Sequence, residues 1–262
     1  MLGRWIASIV LVMTSQRHEE GSVGAYPMVV VFGRPGAGKT TVANAALAKL
    51  DDIKKESSIE GNADGSSSQQ KLQNLECVGL DLDVCVPQWM KDNFSNGIYP
   101  TLEERIDFAL NACDYVDEQI RELKQNIEKT ERNKNSVPSS IISFSFVNTD
   151  LRDKFRSRFP NAAWVLIDTD DAEATKRINE REDHFYKGKD PLKDEGTTST
   201  TTSDNTESNV EPSEENDGDN ADWLFAPVTF PHHTLQGKNA IDKNADSVLE
   251  VLFDQMESQI RN

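Results

Sequence analysis

Basic residues are scarce in this chain. Lys and Arg number 28 against 45 Asp and Glu, for a formal charge of −17. A nucleic-acid groove needs the opposite sign, and no basic stripe with interleaved aromatics occurs. Cysteine is nearly missing too. Cys77, Cys85 and Cys113 are an odd number at no metal-ligand spacing. That excludes a disulfide framework and a zinc knuckle, and leaves reduced thiols acting as small buried hydrophobes, as in an intracellular protein. His184, His232 and His233 have no acid or nucleophile at a telling distance, so no Ser–His–Asp arrangement is expected, and His232 and His233 are read as loop residues. Long apolar runs are missing as well: the stretch 5–13 is too short to span a bilayer. No internal repeat is found.

What is present begins with an uneven distribution of acid. Residues 194–222 hold ten carboxylates and no Lys or Arg, and the remaining 35 acids and 28 bases leave −7 for the rest. With almost no aliphatics, residues 188–222 are expected to be an acidic low-complexity insertion that does not fold by itself. Residues 1–25 form an N-terminal extension, read as a targeting segment or as a lead-in to an alternative start at Met13. The core is expected over 26–187, with a flexible Ser-, Gly- and Asn-rich insertion at 51–74. Residues 223–262 supply a closing strand near 227–230 and an amphipathic helix over 244–260.

The stretch with the most specific chemistry is Gly33-Arg34-Pro35-Gly36-Ala37-Gly38-Lys39-Thr40-Thr41. It fits G-x-x-x-x-G-K-[ST]. The glycines let backbone N–H groups wrap a triphosphate, Lys39 reaches the β- and γ-phosphates, and the Thr40 hydroxyl suits Mg²⁺. The motif requires a strand before it and a helix after it. Residues 28–32 are apolar and β-branched, and 41–50 are rich in Ala and Leu at helical spacing. Nucleoside triphosphate binding follows as the expectation.

Strands are further expected at 76–81, 139–146 and 163–168. Between them lie helices at 88–94, from 101 onward with a break near Asp114, at 150–159, and from 170 to about 182. Thr101 and Glu104 make a capping box. Leu102, Ile106, Ala109, Leu110 and Cys113 are expected to share the buried face of their helix. Strands alternating with helices predict an α/β fold with a parallel sheet covered on both faces, and ligands at the carboxyl ends of the strands.

Phosphoryl transfer needs an acid for the acceptor and cations for the moving charge. Asp81 and Asp83 follow the second strand, and alternation in an extended segment would put both on one side. One would serve Mg²⁺ and its waters, the other the acceptor proton. Arg177 and Arg181 are four apart and share a helix face, with pairing to Glu173, Glu180 or Glu182 as the competing expectation. Arg105 and Arg152 are further cation candidates.

Together these residues resemble the gluconate kinase and shikimate kinase group of small P-loop kinases. Asp83, Pro87, Gly97 and Arg105 fall at the spacing of the gluconate kinase pattern. Residues 142–156 look like that family's strand and Y-R-D-x-L-R helix, and 177–185 resembles its R-x-x-x-R-x-G-H-F. The resemblance covers roughly 29–185. It implies a three-layer P-loop NTPase fold: a five-stranded parallel sheet, helices on both faces, and a lid, here carrying the acidic insertion. It implies ATP and Mg²⁺, with Thr40 and Asp81 at the metal. Asp83 would bind and deprotonate the acceptor, Arg105 and Arg152 would hold its anionic group, and Lys39 and Arg181 would balance charge. The loop residues and Arg177 would hold the nucleotide. The chain departs from the gluconate kinase pattern at Val86, Met90, Asn93 and Asp183, which are residues of the acceptor side and the lid.

The expected activity is transfer of a γ-phosphoryl group to a hydroxyl of a sugar acid or hydroxy acid. The alternatives are a nucleoside or nucleotide kinase, for which Trp89 and Phe94 are candidate base contacts, and a non-catalytic nucleotide-binding protein using the acidic segment as an interaction arm. The expected partner is a small hydroxyl acceptor, with no nucleic acid and no stable membrane span. A cytoplasmic location is expected, with organelle import through 1–25 as the alternative.

Overall fold

The computed structural model describes residues 26–59, 74–130, 136–180 and 225–261. Residues 1–25, most of the 51–74 insertion, Arg181, His184 and the acidic segment lie outside the described residues.

Five strands form one sheet. β1 (Met28–Phe32), β2 (Leu75–Asp81), β3 (Val137–Phe144), β4 (Ala163–Asp168) and β5 (His233–Gln236) lie in the order β2-β3-β1-β4-β5. Every neighbouring pair is parallel. The centre is set by register: Val30 lies between Ile142 of β3 and Trp164 of β4. All five β1 residues are buried, as a run of Met, Val and Phe requires when both faces of a parallel sheet are covered. Each fully buried valine is worth about 2 kcal/mol of transfer free energy.

Alternation along β1 divides the core in two. Val29 and Val31 face α1 (Lys39–Ile59) and α6 (Ile241–Arg261), packing with Ala43, Ala46, Leu50, Val248 and Leu252. Val30 and Phe32 face the other layer, built from α3 (Leu102–Lys129) and α4 (Thr149–Arg158). Here Phe108, Val116, Ile120, Phe155 and Trp164 fill the space. The remaining helices are α2 (Gln88–Ser95) and α5 (Asp171–Asn179). Among the described residues no helix is long and apolar enough to cross a membrane.

Several expectations need correction. The first helix continues past Leu50 to Ile59, so the insertion begins later than 51. Lys54 Nζ pairs with Glu76 of β2 at 3.2 Å, and Ile53 packs on the core, which extends the helix into a polar stretch. The closing strand is His233–Gln236, not 227–230, and His233 is in it. Residues 225–232 contain Pro227 and Pro231, which have no N–H to donate to a ladder. The strand expected at 139–146 runs instead from Val137 to Phe144, and Phe146 turns out of it with φ +43°. α3 is continuous, with no break at Asp114. Its buried face is Arg105, Phe108, Ala109, Ala112, Cys113, Val116 and Ile120. Leu102 and Leu110 are 54% and 50% exposed, so the face was expected one step around the helix from where it lies. The capping box forms as expected: the Thr101 amide donates to Glu104 at 2.8 Å, and the Glu104 amide donates back at 3.3 Å.

Candidate nucleotide and acceptor site

Because all strands run the same way, their carboxyl ends share one edge, and the loops there come from β1, β2, β3 and β4. The β1 loop is residues 33–38. Gly36 (φ +79°) and Gly38 (φ +93°) hold left-handed conformations. At Gly36 a Cβ would run into the Ala174 carbonyl of α5, so only glycine lets the loop pass so close. The loop is fastened from the β4 side. The Ala37 carbonyl accepts from Thr169 Oγ1 and from Arg177 Nη1, both at 3.4 Å. Arg34 forms an ion pair with Asp171 at the start of α5. Lys39, 9% exposed, donates to the Arg34 carbonyl across the loop at 3.0 Å. α1 begins at this lysine, which puts a helix N-terminus and its first-turn N–H groups under the loop.

At the mouth of the loop, Thr40 Oγ1 donates to Asp81 Oδ2 at 3.0 Å. Ser143, near the end of β3, donates to Thr40 Oγ1 at 3.4 Å. Asp81 ends β2, and the chain then turns into one 3-10 turn, Leu82–Cys85. Asp81 Oδ1 caps that turn by accepting from the Asp83 amide at 3.0 Å. The extended alternation expected for Asp81 and Asp83 therefore does not hold. Asp83 is placed instead by a turn whose first donor Asp81 satisfies. Cys85 in the same turn has its thiol pushed up to about 11, by burial first and by the Asp81 carboxylate second, with Lys91 acting against both. A cavity of about 200 Å³ lies behind the pair, bounded by Thr40, Asn44, Leu47, Gly79, Asp81 and Ser143.

The arginines divide. Arg177 binds both the loop and the residue that follows β5, through the Ala37 carbonyl and the Gly237 carbonyl at 3.3 Å, and also pairs with Glu173 at 2.8 Å. The Glu173 pair expected as the competing partner forms, and the bond to Ala37 puts the same guanidinium against the loop. Arg105 is 7% exposed; it donates to Asp150 at 2.9 Å and to the Pro100 carbonyl at 3.0 Å. Arg152 is 1% exposed and donates to four carbonyls: Phe146 at 2.7 Å, Val147 at 3.2 Å, Ala226 at 2.7 Å and Pro227 at 3.0 Å. Burial lowers its pKa to about 10, so it remains a cation at neutral pH. Arg181 lies outside the described residues.

No protein-family model matches the chain, and no curated protein matches it. Solved structures do. An unliganded sugar kinase from a Janibacter species is 16% identical, over 87% of this chain and 95% of its own, with a TM-score of 0.50. A gluconokinase from Sinorhizobium meliloti is 15% identical over 89% and 95%, at 0.47. The Mycobacterium tuberculosis APS kinase, in complex with AMPPNP and APS, is 13% identical over 87% and 98%, at 0.48. The chain has the P-loop kinase fold.

Within that fold, the donor set at Thr40, Asp81 and Ser143 is hard oxygen, which suits Mg²⁺. Among the described residues no three His, Cys, Asp or Glu side chains converge to hold a metal without help. Sequence reasoning missed Ser143, Thr169 and Phe225. Ser143 left a signal, as a polar residue on an otherwise apolar strand end, 2% exposed. Phe225 left none: its neighbour in space, Phe32, is nearly two hundred positions away.

Proposed function

We propose that the chain is an ATP-dependent kinase that transfers the γ-phosphoryl group to a hydroxyl of a small molecule, a sugar acid or hydroxy acid. The observation that carries this reading is the Thr40–Asp81 pair at the mouth of the phosphate loop, with Asp83 hydrogen-bonded to the same carboxylate. The bond runs from the Asp83 backbone amide, so Asp81 also fixes the turn that carries Asp83 at this edge of the sheet.

In this reading the loop amides from Gly33 to Thr41 receive the phosphates, and Lys39 exchanges the Arg34 carbonyl for the β- and γ-phosphate oxygens. Mg²⁺, when bound beside Thr40 and Asp81, would neutralise charge between those phosphates. Arg177 already joins the loop to Gly237 just after β5, which suits it to the nucleotide side. Asp83 takes the proton of the acceptor hydroxyl. That oxygen then bonds to the γ-phosphorus, the bridging P–O bond breaks, and its electron pair leaves on the β-phosphate of ADP. Lys39 and Arg181 balance the charge that develops, and Arg105 and Arg152 hold an anionic group of the acceptor.

The test is an acceptor panel of sugar acids, hydroxy acids, nucleosides and nucleotides, with ATP and Mg²⁺. Phosphorylation of a hydroxy or sugar acid supports the reading. Phosphorylation of nucleosides alone would replace it with the nucleoside-kinase alternative, and ATP binding with no product would favour a non-catalytic role.

A further inference from the structure

Arg152 is a buried cation whose hydrogen-bond partners among the described residues are neutral carbonyls, with the Asp153 carboxylate acting on it only through space. Its Nε and Nη2 go to the carbonyls of Phe146 and Val147, close to it in sequence. Its Nη1 goes to two oxygens at once, those of Ala226 and Pro227, on a segment more than seventy residues away. The same segment is tied down by the Ala226 amide, which donates to the Val147 carbonyl at 3.0 Å. The Phe225 ring lies 4.5 Å from the Arg152 guanidinium and 5.8 Å from that of Arg34 in the phosphate loop, and stacks on Phe32 at 6.3 Å. Phe146, which supplies one of the carbonyls, holds a left-handed conformation at φ +43°. That backbone is strained for a bulky side chain, and its carbonyl accepts from the guanidinium at 2.7 Å.

A guanidinium meets carboxylate or phosphate with paired hydrogen bonds and a direct charge attraction that a neutral carbonyl does not offer. A buried cation without an anion also carries an uncompensated desolvation cost. The two carbonyl oxygens that share Nη1 of Arg152 occupy donors that an anion could take. We propose that residues 225–227 are an internal competitor for an anion site on Arg152. An incoming carboxylate or phosphate takes the Nη1 edge from the Ala226 and Pro227 carbonyls, and Phe225 leaves with them. The displacement removes Phe225 from Arg34 and Phe32, so the phosphate loop is altered when the anion arrives. That this anion belongs to the acceptor rests on the kinase reading above; the competition at Arg152 does not.

The experiment is hydrogen exchange on the full chain saturated with AMPPNP, so that the phosphate loop is filled. Inorganic phosphate and, separately, malonate are then added as probes, with calorimetry to measure their binding. The expected result is that a bound probe speeds exchange of the Ala226 amide at least tenfold. Phe225→Ala should bind the same probe about tenfold more tightly, because the competitor is weakened. Phe225→Leu, which keeps apolar volume and loses the ring, should lie between and serves if Phe225→Ala fails to fold. Preference for phosphate over malonate identifies the anion as a phosphate, and the reverse as a carboxylate. The proposal is overturned if neither probe binds, if a probe binds without changing exchange at Ala226, or if neither Phe225 variant binds more tightly. Failure of AMPPNP to bind would instead overturn the donor half of the kinase reading. The same titration on Lys39→Met would then test the competition alone.

Discussion

The Thr40 hydroxyl donates to Oδ2 of Asp81 at 3.0 Å, joining residues 41 apart in sequence at the carboxyl edge of the sheet. The bond is available because β2 ends on Asp81 as α1 begins beside it. If the two side chains serve one metal, their effects are not independent. Thr40→Ala and Asp81→Asn should each lower turnover by about 10- to 100-fold, the range seen when a metal's supporting ligands are removed. The double variant should fall well short of the product of the two. Steady-state kinetics across a Mg²⁺ titration checks both points, and full additivity would show that the residues act separately.

Two glycines with nearly the same backbone predict different costs. Gly36 and Gly97 have φ of +79° and +72°. A Cβ at Gly97 meets nothing within 4 Å, whereas at Gly36 it meets the Ala174 carbonyl and lies 3.0 Å from Ile178 Cγ1. Gly97→Ala should cost about 1 kcal/mol, the left-handed penalty alone. Gly36→Ala should cost more than about 2 kcal/mol and weaken nucleotide binding, since the loop has to shift away from α5. Urea unfolding midpoints separate the two.

How much of this was legible in the sequence follows from how local each signal is. The phosphate loop, its strand and its helix are contiguous, so Gly33 to Thr41 could be assigned from spacing alone. The capping box of Thr101 and Glu104 and the β4 boundaries were legible for the same reason. Asp83 was expected on the same side as Asp81 by strand alternation, and the 3-10 turn after β2 replaces that geometry. The core face of α3 was misjudged because Leu102 and Leu110 look buried by composition, while Arg105 holds a buried position through Asp150 and the Pro100 carbonyl. The Arg152 cluster could not be read at all: its carbonyl partners carry no side-chain signature, and half of them lie beyond the acidic insertion.

The thiols give a pH prediction. Burial raises the pKa of Cys77 and Cys85 to about 11 and of Cys113 to about 12, against an ordinary value of 9.0. The folded chain therefore keeps protons that the unfolded chain loses. The stability from this source is whole below pH 9 and is lost as pH rises through 11 to 12. Arg152 works in the opposite sense, but only between its lowered value of about 10 and its ordinary 12.5. Between pH 8 and pH 10 the thiols act alone of these groups, and urea midpoints should fall. At pH 8 the Cys85 thiolate fraction is roughly 100-fold below that of an unshifted thiol, so a disulfide reagent should react with native Cys85 about 100-fold more slowly than in urea. A native rate equal to the unfolded one would contradict the environment described for Cys85.

Asp83→Asn bears on the central claim most directly. The amide keeps the size and the turn but cannot take a proton from the acceptor hydroxyl. With the acceptor identified by the panel, phosphoryl transfer should be measured for the wild type and the variant beside ATP affinity by calorimetry. The account predicts a loss in turnover of about 100-fold or more, with ATP affinity changed less than about twofold. Unchanged turnover, or an equal loss of turnover and ATP affinity, would contradict it.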